Sequence, residues 1–348
     1  MISTGAAQMS DDLTTIRQKA IAGLQRLFDT ASLASEKAQL ISALRQATRL
    51  PSQAAYSNEL CELVLKNSKE IADFLTARAP SLPPDLIEHL ENRMFREYQR
   101  ACEIAADEHD RRGCKRAAEN LIASILRFRD LVNADPQYVQ YKTLVGYEAV
   151  FDYHWNGRQP GYNEGENYRK EKIEEYIREI DKQTIESWYV LTLLCAGTKS
   201  NDGATFPIFL EFLRRLGQAR PHIAIEFLRR ENPDLMDFLA ALLTGLSESD
   251  ARADYQRIVS DYLARNAYLT NVARHCRAAA LPVDATVREV LTRAIAPNET
   301  FAVFECLIFA IEKHSPELPL IGPIFVPAIQ FLNGRGDARW IHGAWYLR

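Results

Sequence analysis

PIFLEFLRRLGQARPHIAIEFLRR, residues 207–230, contains one five-residue word twice, as Glu211 to Arg215 and again as Glu226 to Arg230. The copies lie fifteen residues apart, with Gly217 and Pro221 between them. Glycine weakens a helix interior, whereas proline suits a first turn, where its missing N–H has no intrahelical acceptor to lose. The spacing therefore predicts two successive helices of a tight hairpin, broken at Gly217 and restarted at Pro221.

Downstream the same punctuation continues. Pro233, Pro282, Pro297 and Pro323 fall near the starts of apolar segments of helical period. Tyr255, Ile258, Val259, Tyr262 and Leu263 form one amphipathic face, and LMDFLAALL (235–243) is apolar nearly all round, as a helix between neighbours would be.

Upstream the predicted helices are longer. The first carries Ile16, Ala20, Leu24, Leu27 and Phe28 on its apolar face and opens at Ser10-Asp11-Asp12; the second covers 36–48. Leu60, Leu63, Val64, Ile71, Phe74 and Leu75 mark a third, ended by Pro80; Asp85 with Glu88 opens a fourth that runs to Ala105. Leu121 to Val132 carries the next, and Pro136 starts a helix expected to reach about Tyr153. Ile173, Tyr176, Ile177 and Ile180 give a narrow dry edge to an otherwise charged helix, 167–182, and Ile185 to Ala196 is an apolar helix. No run alternates with the period of a strand.

The reading is all-α: stacked antiparallel helix pairs forming an α-solenoid or an irregular helical superhelix, without significant β-sheet. Expected boundaries are a tail at 1–10, an N-terminal helical domain at 11–155, a loop and charged connecting helix at 156–183, and a helical-hairpin array at 184–348. In style, not by motif, the C-terminal half resembles HEAT-like repeats, which are degenerate in sequence. QATRLPSQAAYSNELCELVLKNSKEIADFL (46–75) and FRDLVNADPQYVQYKTLVGYEAVF (128–151) resemble helical sensor regions of large bacterial defence or signalling NTPases. That resemblance implies recognition rather than chemistry, in a fragment or free-standing relative of such a protein.

Composition narrows the function classes. The 348 residues are 47% hydrophobic and 25% charged, enough for a full core and too apolar for wholesale disorder. Only 15 glycines argue against glycine-rich barrels and doubly wound nucleotide folds. The net charge of −4 shows no global basic excess for nucleic acid, and residues from Lys199 onward balance 17 basic against 17 acidic side chains. Six scattered cysteines without a CxxC, a start (MISTGAAQMS) without a basic-led apolar core, and apolar runs that are short or broken by proline point to a reducing, cytoplasmic compartment and no membrane span.

Motifs for chemistry are absent. There is no GxxxxGK[ST], no GxGxxG after a strand, no GxSxG and no HExxH, and the seven histidines are dispersed. No cofactor is expected. Cys102, Asp107, Glu108, His109, Asp110 and Cys114 are legitimate zinc donors in a spacing that matches no strong pattern; the plainer reading is a polar helix connection between inward-facing thiols. Arg214, Arg215, Arg220, Arg229 and Arg230 are a candidate anion-binding cluster, or else the basic helix ends that complement the macrodipole. An RGD at 335–337 lies in a turn and is expected by chance, and Trp340 and Trp345 suggest an apolar end.

FDYHWNGRQPGYNEGENYRKEK (151–172) gathers His154, Trp155, Arg158, Tyr162 and Tyr168, the composition of a partner-binding loop. The favoured reading is a joint between helical halves, in which Phe151, Tyr153 and Trp155 complete the contact of their own helix against the next. The leading expectation is a non-catalytic scaffold or sensor that holds a protein partner or the remainder of a larger chain, away from any membrane. The alternatives are a HEAT-like nucleic-acid binder using Arg214–Arg230 and an unrecognised helical enzyme or metal protein.

Overall fold

Lys142 carries the first departure from this reading. Its ammonium donates to the carbonyl of Val150 at 2.5 Å. In a continuous helix those residues would stand about 12 Å apart along the axis, so the helix that begins at Pro136 must stop and fold back. It ends at Val145, not near Tyr153; a single turn, Asp152–Trp155, follows.

The computed structural model describes residues 10–49, 57–107, 112–146, 149–157, 161–198, 200, 205–280, 282–316, 318–338 and 341. Among them every regular element is helical and no strand occurs. The chain divides into two compact units, 1–165 and 166–348.

The first unit holds α1 (Asp11–Thr30), α2 (Ala34–Ala47), α3 (Asn58–Arg78), α4 (Pro84–Ala106), α5 (Arg112–Asn133), α6 (Pro136–Val145) and α7 (Asp152–Trp155). Local sequence sets the starts. Ser10, Ser57 and Asp135 accept from the N–H groups of Leu13, Leu60 and Gln137, and proline opens α4 and α6. The extensive packing of α3 and α4 on α5 builds a core around Leu65, Leu75, Leu90, Leu121 and Phe128. The apolar face expected for α1 is corrected: Ile21 and Phe28 are buried, but Ile16 and Leu27 are 64% and 57% exposed.

α8 (Tyr162–Glu179) crosses the division, and its dry edge of Ile173, Tyr176, Ile177 and Ile180 is buried as the spacing predicts. The second unit continues with α9 (Ile185–Ala196), α10 (Pro207–Ala219), α11 (Pro221–Arg229), α12 (Pro233–Met236), α13 (Leu239–Ser247), α14 (Arg252–Ala264), α15 (Leu269–Ala278), α16 (Asp284–Ile295), α17 (Thr300–Lys313) and α18 (Val326–Gly334). LMDFLAALL is not one helix but the end of α12 and the start of α13, and α13 packs between α10 and α15.

A period emerges that the residues alone do not spell. The first helices of successive pairs, α10, α13, α15 and α17, begin at Pro207, Leu239, Leu269 and Thr300, intervals of 32, 30 and 31 residues. Each packs on the next, forming one row. The second helices α11, α14 and α16 are each followed by a residue of positive φ: Glu231 (42°), Asn266 (53°) and Asn298 (69°). After α14 and α16 the chain closes with six-residue hydrogen bonds, Ala267 N–H to Tyr262 O and Glu299 N–H to Ala294 O, both 2.8 Å; asparagine at both left-handed positions fits that geometry.

Gly217 does not break α10, as the sequence suggests, but lies inside it. There the helix meets α13 with backbone against backbone. A Cβ on Gly245 would stand 1.9 Å from Arg214 O, and one on Gly217 would stand 2.7 Å from Leu242 O. Among the described residues, this crossing joins the most extensively packed helix pair of the unit.

His275 is fully buried in the same row. Thr244 Oγ1 donates to Ala240 O (2.8 Å), so it accepts from His275 Nδ1–H (3.0 Å); Nε2 then accepts from the Tyr255 hydroxyl (2.7 Å). Burial lowers the imidazole to about 4. The unfolded chain takes up this proton near pH 6.5 and the folded chain only near 4, so stability falls with pH across that window, by about 3 kcal/mol in all. Urea denaturation at neutral pH and at about pH 4 is expected to show this loss in the wild type, with His275→Gln less pH-sensitive by the same amount.

Gly245→Ala is expected to cost about 3 kcal/mol or more, since neither backbone can yield locally. Gly23→Ala, in α1, where no atom lies within 4 Å of the added carbon, is expected to gain about 0.5–1 kcal/mol. Thermal melts of both variants check the contrast.

Candidate functional site

The 151–172 stretch places its key aromatic inside rather than outside. Trp155 is 4% exposed, with Phe95 and Tyr98 edge-on at 5.0 and 5.2 Å and the Arg129 guanidinium 5.8 Å from its ring. The Tyr98 hydroxyl donates to Trp155 O at 3.3 Å. His154 is half-buried; its Nδ1 accepts from Phe151 N–H at 3.0 Å, and burial lowers its pKa. Here the tryptophan completes the core of the first unit. Tyr168, half-buried on α8, lies 5.9 Å from the Lys172 ammonium. Arg158 and the side chain of Tyr162 lie outside the described residues.

The same unit holds a buried ion pair that no motif announced. Glu91 on α4 and Lys142 on α6 are 0% and 1% exposed. The ammonium reaches both Glu91 oxygens (3.0 and 2.8 Å), Asn133 Oδ1 (2.6 Å) and Val150 O. Glu91 also accepts from Asn133 Nδ2 and the Tyr138 hydroxyl, both at 2.7 Å. Each charge thus has charge-assisted partners on every side, the condition under which a buried pair is tolerated. Burial pulls Lys142 below the usual lysine range and pushes Tyr138 well above the usual tyrosine value, with Glu91 reinforcing the latter. The arrangement fixes where the chain turns after α6. The signal in sequence, one Glu and one Lys on apolar helix faces 51 residues apart, was too sparse to find.

The arginine cluster is brought together along one unit but its charges are engaged. Arg214 binds Glu211 (2.9 and 2.7 Å) and Glu248 (2.6 Å). Arg215 binds Glu174 (2.7 Å) and Gln218 (2.8 Å). Arg220 donates to Ile177 O and Arg178 O at 3.2 and 3.4 Å, the carbonyl end of α8. Arg230 pairs with Glu186 and stacks 4.2 Å from the Tyr189 ring. Only Arg229, 65% exposed, is loosely held, with Glu226 at 3.6 Å. These cations stitch helix to helix. Of the metal candidates, 108–110 lie outside the described residues, as do Trp340 and Trp345, and no metal-binding group of three or more donors occurs among the described residues.

Arg229 does belong to a concave surface. Between α11 and α14 lies a half-open groove of about 370 Å³, floored by Ile225, Leu228, Ile258 and Tyr262 and rimmed by Arg229, Glu231, Arg257 and Asp261. Packing between α11 and α14 is slight by comparison with the α10–α13 row, so the second helices stand apart where the first helices touch. Arg265 occupies both acids of the rim, at 2.6 Å from Glu231 and 2.9 Å from Asp261, while Arg257, 68% exposed, pairs with Asp254 on its own helix at 2.5 Å. A cavity in the first unit, by contrast, measures about 40 Å³, room for ordered water and far below the roughly 300 Å³ of small-molecule sites. No family model, curated protein or solved structure matches this chain.

Lys142→Met leaves the Glu91 carboxylate buried without its cation and is expected to cost about 3–5 kcal/mol in urea denaturation. Glu91→Gln/Lys142→Met, which leaves no uncompensated buried charge, is expected to be more stable than the single variant.

Proposed function

We propose that this protein is a helical-repeat interaction module of the α-solenoid, HEAT-like class, which holds a segment of a partner protein in the α11–α14 groove. The groove carries the reading. Its floor offers apolar burial to one or two anchoring side chains, and its rim supplies exposed guanidinium groups to orient the segment's polar atoms. The regular interval of the hairpins supports the class, because stacked repeats bury one row of helices and leave grooves between the others. Recognition rather than chemistry is also what the resemblance to helical sensors implies. The cytoplasm is the proposed compartment, on six scattered cysteines without a CxxC; no helix among the described residues is long and apolar enough to cross a membrane.

The test is site-specific photo-crosslinking in the cells from which the gene comes. A photoreactive residue at Arg257 is expected to capture a discrete protein, and adding Ile258→Lys, which places a charge in the half-buried floor, is expected to abolish that product without changing the melting temperature. Capture that persists in the Ile258→Lys background, or that is identical from a probe at exposed Lys182, contradicts the assignment.

A further inference from the structure

The outward face of α1 carries an apolar pattern that the rest of its unit leaves exposed. Ile16, Ala20, Gly23 and Leu27 follow one another at spacings of four, three and four, the seam of a helix that packs on another helix. Yet Ile16 and Leu27 are 64% and 57% exposed, Ala20 is exposed, and no atom comes within 4 Å of where a Gly23 side chain would begin. A separate face about 120° round the helix, with Ile21 and Phe28, already holds α1 to its own unit. Two small residues at the centre of the free seam let a second backbone approach closely, and two large ones at the ends supply the apolar contact.

The charges beside the seam indicate what covers it. Asp12, Lys19 and Arg26 recur at intervals of seven along one flank. All three are exposed, and among the described residues neither cation has an ion-pair partner. A second copy of the chain fits the apolar seam: in an antiparallel pair, Ile16 of one copy lies opposite Leu27 of the other, and Ala20 opposite Gly23, as two-fold symmetry requires. That same register sets Lys19 of one copy about 3 Å along the axis from Arg26 of the other, twice over, so four cations crowd the middle of one flank. Self-pairing is therefore opposed by charge, and the complementary occupant carries carboxylates at those positions.

We propose that α1 docks an amphipathic helix of a partner protein whose flank bears Glu or Asp opposite Lys19 and Arg26. This surface lies in the first unit and does not depend on the groove of the second.

Two synthetic helical peptides of 21 residues, identical in a Leu/Ala seam and bearing either Glu or Lys along the flank, serve as probes in fluorescence anisotropy with the full chain. The Glu peptide is expected to bind about tenfold more tightly than the Lys peptide at low salt, with the gap narrowing as salt rises. Lys19→Glu/Arg26→Glu is expected to reverse the preference, and Leu27→Asp to remove binding of both peptides while leaving the thermal melt unchanged. Equal affinity for the two peptides, binding of neither, or a dimer in sedimentation that Leu27→Asp dissolves would each overturn the proposal.

Discussion

Two side chains that are not there set the geometry of the second unit. Gly217 and Gly245 bring α10 and α13 together at backbone distance, closer than any pair of side chains would permit. Everything downstream inherits that spacing, because α13 is also the surface on which α15 packs, and α15 in turn carries α17. With the first helices of each pair pressed into one row, the second helices take up the difference. α11 and α14 diverge, and the space between them is the groove. The candidate site follows from an unequal distribution of packing across the two helices of each hairpin, without any dedicated loop or insertion.

The first unit solves a different problem. Its helices are long, and the chain must reverse after α6, which is capped by Gly146, where a Cβ would stand 2.5 Å from Lys142 O. The Glu91–Lys142 pair fixes the outcome by holding the carbonyl of Val150 against a lysine eight residues earlier. Burying two charges stabilises little by itself, but once both are buried the register of α4, α6 and the 149–157 segment is specified, since any slip strands a charge. Trp155 then closes over Phe95 and Tyr98. The polar network selects the conformation, and the aromatic contacts and the surrounding core supply most of the burial energy.

Helix identity was largely legible in the sequence because amphipathic spacing and proline placement are local signals. The repeated Glu-Phe-Leu-Arg-Arg word correctly predicts the α10–α11 hairpin. What was not legible depends on partners distant in the chain. Gly217 reads as a helix breaker by propensity, and its acceptance inside α10 comes from the facing Gly245, 28 residues on. Trp155 has the composition of a binding residue, whereas its burial depends on Phe95 and Tyr98, about sixty residues upstream. The arginine cluster reads as an anion site when only its own helices are considered, but its counter-charges, Glu174, Glu186 and Glu248, come from α8, α9 and the end of α13. The groove draws on two segments with no shared motif, so nothing in either could announce it.

The claim that a tight row of first helices supports a looser row of second helices is most directly measured by hydrogen exchange followed by mass spectrometry. Amides of Phe209–Leu216 and Leu242–Leu246 are expected to exchange last in the second unit, and those of α11 and α14 that border the groove distinctly earlier. Uniform protection across both helices of each pair, or faster exchange at the glycine crossing than beside the groove, would contradict it.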